Sequence, residues 1–136
     1  MVVSDNIAGG HRVTTGRQVP FCMFTDPELA RIGLSETEAK QRGIPYRLAK
    51  LPMAAVFRAM TISETRGFIK VLIEKESDRI LGFTMFGAGA GEVMATVQMT
   101  MLAGLPYTAL RDAVIAHPTM PEGLTFLLHA VPPKAS

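Results

Sequence analysis

Two apolar segments joined by a short charged connector constrain the fold of this chain more than any other feature. The segments are Phe68–Glu74 and Ile80–Phe86, and residues 75–79 between them are charged or polar. This pattern predicts an antiparallel β-hairpin. Because both arms are rich in β-branched and aromatic residues, which pack well on a pleated surface, we expect them at the centre of an antiparallel sheet.

Three shorter segments before this hairpin are also predicted to be extended: residues 19–25, 29–34 and 46–51. The first is an apolar run that ends at a turn signal, Asp26-Pro27. In the third segment the tyrosine and leucine side chains are taken to alternate with Arg47, Ala49 and Lys50, which we expect on a solvent-exposed face.

Helix start and stop signals predict four helices, over residues 35–43, 92–103, 108–113 and 120–129. The first is the best marked, because Ser35 and Glu38 match a capping box and Gly43 follows as a C′ glycine. Thr108 is the expected cap of the third. Residues 53–65 are ambiguous and allow a short helix followed by a loop.

The helix predicted over residues 92–103 is apolar on most of its circumference, with Val93, Met94, Ala95, Val97, Met99, Met101 and Leu102. Such a helix needs cover on two sides, of which one is its own sheet. The second cover is either another part of the same domain or a second subunit, for which methionines provide an adaptable surface. The sequence favours neither alternative.

A glycine-rich segment, residues 87–91, lies between the hairpin and this helix. Glycines at such a position invite comparison with a dinucleotide-binding loop. The fingerprint G-x-G-x-x-G fails, because Glu92 stands at the third glycine position and would repel a pyrophosphate. The interpretation is therefore a tight turn that lets the helix pack close to the sheet.

Composition is that of a globular domain, with 136 residues, 48% apolar and 19% charged. The net charge of +2 is spread without a basic stripe, which argues against nucleic acid as a partner. The apolar runs are too short for a membrane span, and no secretory signal is visible, so we expect a cytoplasmic protein. Cys22 is the single cysteine, which suits a reducing compartment and indicates a small core residue.

The stretch from His117 to Glu122 carries the chemistry of greatest interest. It places an imidazole and a carboxylate five positions apart. Histidine exchanges protons near neutrality, and a carboxylate on its far ring nitrogen would fix its tautomer, as in general acid–base catalysis. Pro118 restricts His117 and permits a cis peptide.

A second interpretation of the same stretch is structural. Thr119 and Glu122 have the spacing of a capping box at the start of the last helix, which spacing alone favours and which is compatible with the first interpretation. A metal site is not predicted, because His117, Glu122 and His129 match no standard zinc spacing.

Several groups of residues occur in an order that is typical of one family: residues 24–30, Gly33-Leu34, Glu36, Arg58-Ala59, Thr65, residues 67–70, residues 80–82, Gly91-Glu92, and His117-Pro118-Thr119 with Glu122. Together they resemble the C-terminal dimerisation (interface) domain of the FAD-dependent pyridine nucleotide-disulfide oxidoreductases, which include glutathione reductase, dihydrolipoamide dehydrogenase and mercuric reductase. Residues 1–18 form a lead-in that is similar to the end of a FAD domain, and residues 19–136 are the expected dimerisation domain.

The resemblance implies an α+β fold, an antiparallel sheet with helices packed on it, that forms a homodimer. It implies that His117 and Glu122 are an acid/base pair acting on the redox thiols of the partner subunit. It also implies that the loop with His117 and Pro118 lies beside the partner's flavin in a full-length protein, and that the bond between these two residues is cis.

The cofactor parts of the family are missing from this sequence. It has no FAD or NAD(P) fingerprint, and one cysteine cannot form a redox disulfide. We therefore expect no cofactor on this chain alone and no turnover, with FAD and NAD(P) carried by a longer or separate chain. The alternative is a stand-alone dimeric binding or scaffold module that keeps the fold without redox activity.

Overall fold

The computed structural model describes residues 2–134, and its centre is one antiparallel sheet. The strands of this part of the chain are β1 Phe21–Met23, β2 Leu29–Gly33, β3 Tyr46–Pro52, β4 Phe68–Glu74 and β5 Ile80–Phe86. Their order across the sheet is β1-β2-β5-β4-β3, and every neighbouring pair is antiparallel. The predicted hairpin is confirmed with both arms as predicted, and β5 is the central strand.

The helices of the described residues are α1 Val2–Ile7, α2 Glu36–Gln41, α3 Phe57–Thr61, α4 Ala90–Leu102, α5 Tyr107–Arg111 and α6 Gly123–His129, with a 3-10 turn at Met53–Ala55. The Ser35–Glu38 capping box of α2 is confirmed, since each side chain accepts a hydrogen bond from the other residue's backbone N–H. An α+β fold is therefore present, as the resemblance implied.

Both faces of the sheet are covered. On one face, α4 and α6 pack over a large core that includes Val71, Phe83 and Leu124. On the other face, Ala39 of α2 packs over a smaller core with Leu72. The burial of apolar surface on both faces holds the helices in fixed places relative to the central hairpin.

Of the three β3 residues predicted on a solvent-exposed face, Lys50 is exposed as predicted, whereas the prediction was wrong for Arg47 and Ala49. Both side chains are buried, at 7% and 4% exposure. Tyr46 and Leu48 share one face and contact the smaller core, whereas Leu51 lies on the other face with Ala49 in the larger core. The predicted grouping does not follow the period of two of a strand, because Lys50 directly follows Ala49 and therefore lies on the face of Tyr46 and Leu48.

Arg47 can be buried because groups distant in the sequence accept hydrogen bonds from its charged guanidinium. Its guanidinium donates to the carbonyls of Pro132 at 3.1 Å and Ser77 at 2.6 Å, and to Asp78 Oδ1 at 3.2 Å. It also lies over the Tyr107 ring, 5.6 Å from the centroid. These contacts join β3 to the β4–β5 connector and to the C-terminal segment.

Three helix predictions need correction. The lead-in, for which no helix was predicted, contains the helix Val2–Ile7. The short helix predicted over residues 108–113 is Tyr107–Arg111, and Pro106 rather than Thr108 is its N-cap residue, consistent with the fixed φ of proline before a helix. The last helix begins at Gly123, three residues later than predicted.

Within residues 2–134, no helix combines the length and the apolar character that crossing a bilayer requires.

Replacement of Arg47 by lysine is expected to destabilise the fold by roughly 2–3 kcal/mol, because one ammonium group cannot reach the carbonyls and the carboxylate that the planar guanidinium serves. Chemical denaturation followed by circular dichroism measures the change. The matched control is Arg42→Lys, at an exposed arginine that ends α2. Equal stability of both variants and the wild type would contradict the role assigned to Arg47.

Candidate functional site

The candidate site is the loop between α5 and α6, which carries His117 and Glu122. The His117-Pro118 peptide bond is cis, as the resemblance implied. The Thr119 hydroxyl donates to the carbonyl of Ala116 at 2.8 Å and closes the turn. Met120 is partly buried and packs against the large core, which anchors the loop to the body of the domain.

His117 and Glu122 are in direct contact. Nδ1 of His117 lies 2.7 Å from Oε1 of Glu122. The two side chains differ in environment, since that of His117 is 61% exposed and that of Glu122 only 13%. A largely buried carboxylate therefore contacts an exposed imidazole at the surface of the domain.

This geometry assigns different roles to the two ring nitrogens. An ionised carboxylate only accepts hydrogen bonds, so Nδ1 of His117 carries the proton that faces Glu122. Nε2 is then the nitrogen that is able to accept a proton. The exposure of the ring leaves Nε2 accessible to a group outside this chain, as a general acid or base requires.

The capping-box interpretation of this stretch was wrong. Glu122 is itself the N-cap residue of α6, in a helical backbone conformation, and no side chain caps that helix. The Thr119 hydroxyl is bonded to Ala116 and the Glu122 carboxylate to His117, so neither reaches the other's backbone N–H. The Glu122 carboxylate is bonded to the His117 imidazole and not to the backbone at the start of α6.

Two aromatic residues near His117 were not identified from the sequence. Phe57, the first residue of α3, meets the His117 ring edge to face, with centroids 5.3 Å apart and planes at 73°. Phe57 meets Phe126 of α6 in the same way, at 5.5 Å and 81°. The one sequence signal for Phe126 is its position four residues after Glu122, since residues at this spacing lie on the same face of a helix.

Gly123 lets α6 lie against the segment that carries Phe57. A Cβ atom at Gly123 would lie 2.9 Å from Cγ2 of Val56 and 3.2 Å from Cδ1 of Ile69. Val56 and Ile69 are fully buried. Only glycine permits this approach without displacement of core side chains, so the backbone next to Glu122 is fixed by packing.

Cys22 is partly buried on β1 and packs against the large core, close to its predicted place. Burial raises the pKa of its thiol, and the carboxylates of Glu28 and Glu92 raise it further. A raised pKa reduces the thiolate fraction, so Cys22 is poorly suited to act as a nucleophile. His11 is exposed.

The glycine-rich segment forms the turn into α4, with Gly89 at a φ of 72°. The carboxylate of Glu28 accepts the N–H of Gly91 at 3.4 Å, and Glu92 lies in the first turn of α4. Two carboxylates thus occupy the helix start where a pyrophosphate would need free N–H donors. This helix start does not fit FAD or NAD(P).

No group of three His, Cys, Asp or Glu side chains in the described part of the chain is arranged to hold a metal ion. His129 does not join His117 and Glu122, because its Nδ1 lies 2.8 Å from the Thr125 carbonyl on its own helix.

One face of α4 is covered by the sheet, and the opposite face is apolar and exposed. Met99 and Leu102 are 57% and 59% exposed, and Leu105 just beyond the helix is 49% exposed. Val93 and Val97 face the core.

Comparison with known families and proteins agrees with this fold. Residues 19–127 match the family model described as "Pyridine nucleotide-disulphide oxidoreductase, dimerisation domain". The chain is 37% identical over 132 residues to a probable pyridine nucleotide-disulfide oxidoreductase, RclA of Escherichia coli, covering 96% of this chain and 30% of that protein. It is 36% identical over 118 residues to the mitochondrial dihydrolipoyl dehydrogenase of Caenorhabditis elegans, covering 87% of this chain and 24% of that protein.

Solved structures show the same relation. The structure of RclA from Escherichia coli, described as an HOCl-induced flavoprotein disulfide reductase, superposes with a TM-score of 0.90 at 37% identity, over 96% of this chain and 31% of that one. LpdA of Mycobacterium tuberculosis, at 18% identity and a TM-score of 0.82 over 94% of this chain and 28% of that one, shares the fold. The chain spans less than a third of the length of these relatives.

The His117–Glu122 contact predicts a single tautomer for neutral His117, with the proton on Nδ1. Nitrogen-15 NMR of the imidazole rings reports this directly. Replacement of Glu122 by alanine removes the acceptor, so we expect the Nδ1–H signature of His117 to be lost.

His129 is the internal control, because its Nδ1 faces a carbonyl oxygen and its tautomer is expected to stay the same in the Glu122→Ala variant. An unchanged His117 tautomer after loss of the carboxylate would show that Glu122 does not orient the ring.

Proposed function

Because the chain belongs to the pyridine nucleotide-disulphide oxidoreductase dimerisation-domain family, we propose that it is the interface domain of a FAD-dependent disulfide oxidoreductase and provides an acid/base pair to a partner subunit. His117 is the group that exchanges the proton, and Glu122 orients it. The observation that supports this role is the 2.7 Å contact between a 13% exposed carboxylate and a 61% exposed imidazole.

The proposed chemistry is proton transfer at Nε2 of His117. A thiol of the partner subunit or of a dithiol substrate gives its proton to Nε2 as it becomes the nucleophilic thiolate. The proton returns to the sulfur that leaves when a disulfide is cleaved. Glu122 keeps Nδ1 protonated throughout, so the same nitrogen both accepts and returns the proton.

Flavin and nicotinamide are assigned to another part of a longer polypeptide or to a separate chain. The glycine-rich start of α4 is occupied by the carboxylates of Glu28 and Glu92 and does not fit either cofactor. When bound elsewhere, these cofactors supply the electrons for disulfide reduction. The loop of His117 and Pro118 is proposed to lie beside the partner's flavin in the assembled protein.

A second candidate is a dimeric binding or scaffold module without redox activity, favoured by the single cysteine of this sequence. Mixing the purified chain with FAD and NAD(P)H distinguishes an autonomous enzyme from both candidates. Retained flavin together with reductase turnover by the chain alone would contradict both. We also propose a cytoplasmic location, because a single cysteine forms no internal disulfide and disulfides are rare in reducing compartments.

The apolar exposed face of α4 is proposed to lie in a homodimer contact. We expect sedimentation velocity to show a dimer at micromolar concentration. Replacing Met99 and Leu102 by lysine is expected to raise the dissociation constant by at least about tenfold, since charge would be buried at an apolar contact. Val13→Lys, at a residue that is 66% exposed in the lead-in, is the control. A monomeric wild type would refute the proposed contact.

The catalytic role of His117 is tested in a chimera in which residues 19–136 replace the corresponding domain of Escherichia coli RclA. His117→Gln is expected to slow disulfide reduction by roughly 10²–10⁴-fold, the usual contribution of general acid–base catalysis. His129→Gln is the matched control and is expected to leave the rate unchanged.

The unsubstituted chimera must first reduce a disulfide with NAD(P)H, which the scaffold alternative does not predict. Equal rates for the His117→Gln and His129→Gln chimeras would exclude His117 as the acid/base.

A further inference from the structure

Two different contacts restrain the His117 ring. Glu122 holds Nδ1 at 2.7 Å, and Phe57 packs against the ring itself at a centroid distance of 5.3 Å. The 73° angle between the planes is the edge-to-face geometry that aromatic quadrupoles favour.

The contact with Glu122 cannot fix the direction of Nε2 by itself. One hydrogen bond restrains Nδ1, but small coupled changes in the two His117 side-chain dihedrals still tilt the ring within the tolerance of that bond. Nε2 lies farther from the backbone than Nδ1 and moves when the ring tilts. Because the His117 side chain is 61% exposed, a packing contact on the ring is needed to limit this motion.

Phe57 is suited to provide this restraint because its backbone is anchored and its ring, although 43% exposed, has a second aromatic contact. Its neighbour Val56 and the α3 residue Ala59 are fully buried, so its backbone is held by the core. Phe126 of α6 packs edge to face against the Phe57 ring at 5.5 Å. Phe126 follows Glu122 by four positions, which places the two side chains on the same face at the start of α6.

We propose that Phe57, braced by Phe126, is a positioning residue that sets the direction of His117 Nε2 for proton transfer. This inference rests on the proposed function of His117. Phe57 itself exchanges no proton and needs no contact with the substrate. It acts on the rate by keeping Nε2 aligned with the sulfur that it serves, since small misplacements of a catalytic group cost large factors in rate.

The ring contact is tested first in the chain itself by NMR of the His117 ring protons. The Phe57→Ala variant is expected to lose the ring-current shift and give His117 resonances close to those of the exposed His11. Phe57→Tyr retains the aromatic face and is expected to retain the shift. Phe57→Leu keeps an apolar side chain and is expected to behave as alanine does, which separates loss of the ring from loss of apolar cover.

Phe24→Ala is the matched control. Phe24 is 86% exposed beside β1, at the opposite edge of the sheet from β3 and β4, where α6 packs. Its replacement is expected to leave the His117 resonances unchanged. Identical His117 spectra for the wild type and Phe57→Ala would overturn the inference.

The second test is kinetic and uses the RclA chimera. Phe57→Ala is expected to lower kcat about tenfold with little change in KM, whereas Phe57→Tyr restores kcat. Phe126→Ala is expected to cause a smaller loss in the same direction. A proportional rise of KM without a loss of kcat would assign Phe57 to substrate binding and overturn the positioning role.

The two proposals fail in different ways. If His117→Gln leaves the rate unchanged, the proposed function fails whatever Phe57 does. If His117→Gln slows the reaction and Phe57→Ala does not, the proposed function stands and the positioning role of Phe57 is refuted.

Discussion

The pairing of β4 with β5 is the interaction on which the rest of this structure depends. The two strands contribute to both cores, with Val71 and Phe83 in the larger one and Leu72 and Leu81 in the smaller one. Each of these side chains is at most 8% exposed. Since burial of apolar surface is the dominant favourable term in folding, the helices on both faces take their positions from this hairpin. The elements that carry the candidate site, α3 and α6, are held by the larger core.

The site extends from that core to the surface through Glu122. Its backbone precedes Gly123, which is packed against Val56 and Ile69, and its carboxylate is largely removed from water. Oε2 of Glu122 is buried without a hydrogen-bond partner among residues 2–134, so the contact with His117 is the main interaction of this charge. Loss of that contact would leave a poorly solvated carboxylate, which is costly. The contact between Glu122 and His117 is therefore costly to break, and it restrains a histidine that is otherwise exposed.

The features predicted correctly from the sequence are those that nearby residues determine. The hairpin follows from composition and spacing, and the first turn of α2 follows from the pairing of Ser35 with Glu38. The local cap predictions at Thr108 and at Thr119 with Glu122 were wrong, and the remaining failures involve residues whose partners are distant. Arg47 was placed in solvent, yet its partner carbonyl belongs to Pro132, 85 positions away. Phe57 could not be linked to His117 before the fold brought α3 beside α6, because their spacing carries no local signal.

Under the proposed function, the requirements of a catalytic histidine and of a cofactor differ, so one domain would provide the first while the cofactor lies elsewhere. A histidine requires only one oriented nitrogen and a path to the surface, and both are supplied here by α3, α6 and one turn. A dinucleotide requires free N–H donors at a helix start, and the carboxylate of Glu28 occupies the Gly91 N–H at the start of α4. The two requirements therefore fall on different parts of an assembly. Under the proposed function, Nε2 acts where a second protein surface brings a thiol to it, so the proposed dimer contact at α4 and the proposed role of His117 depend on each other.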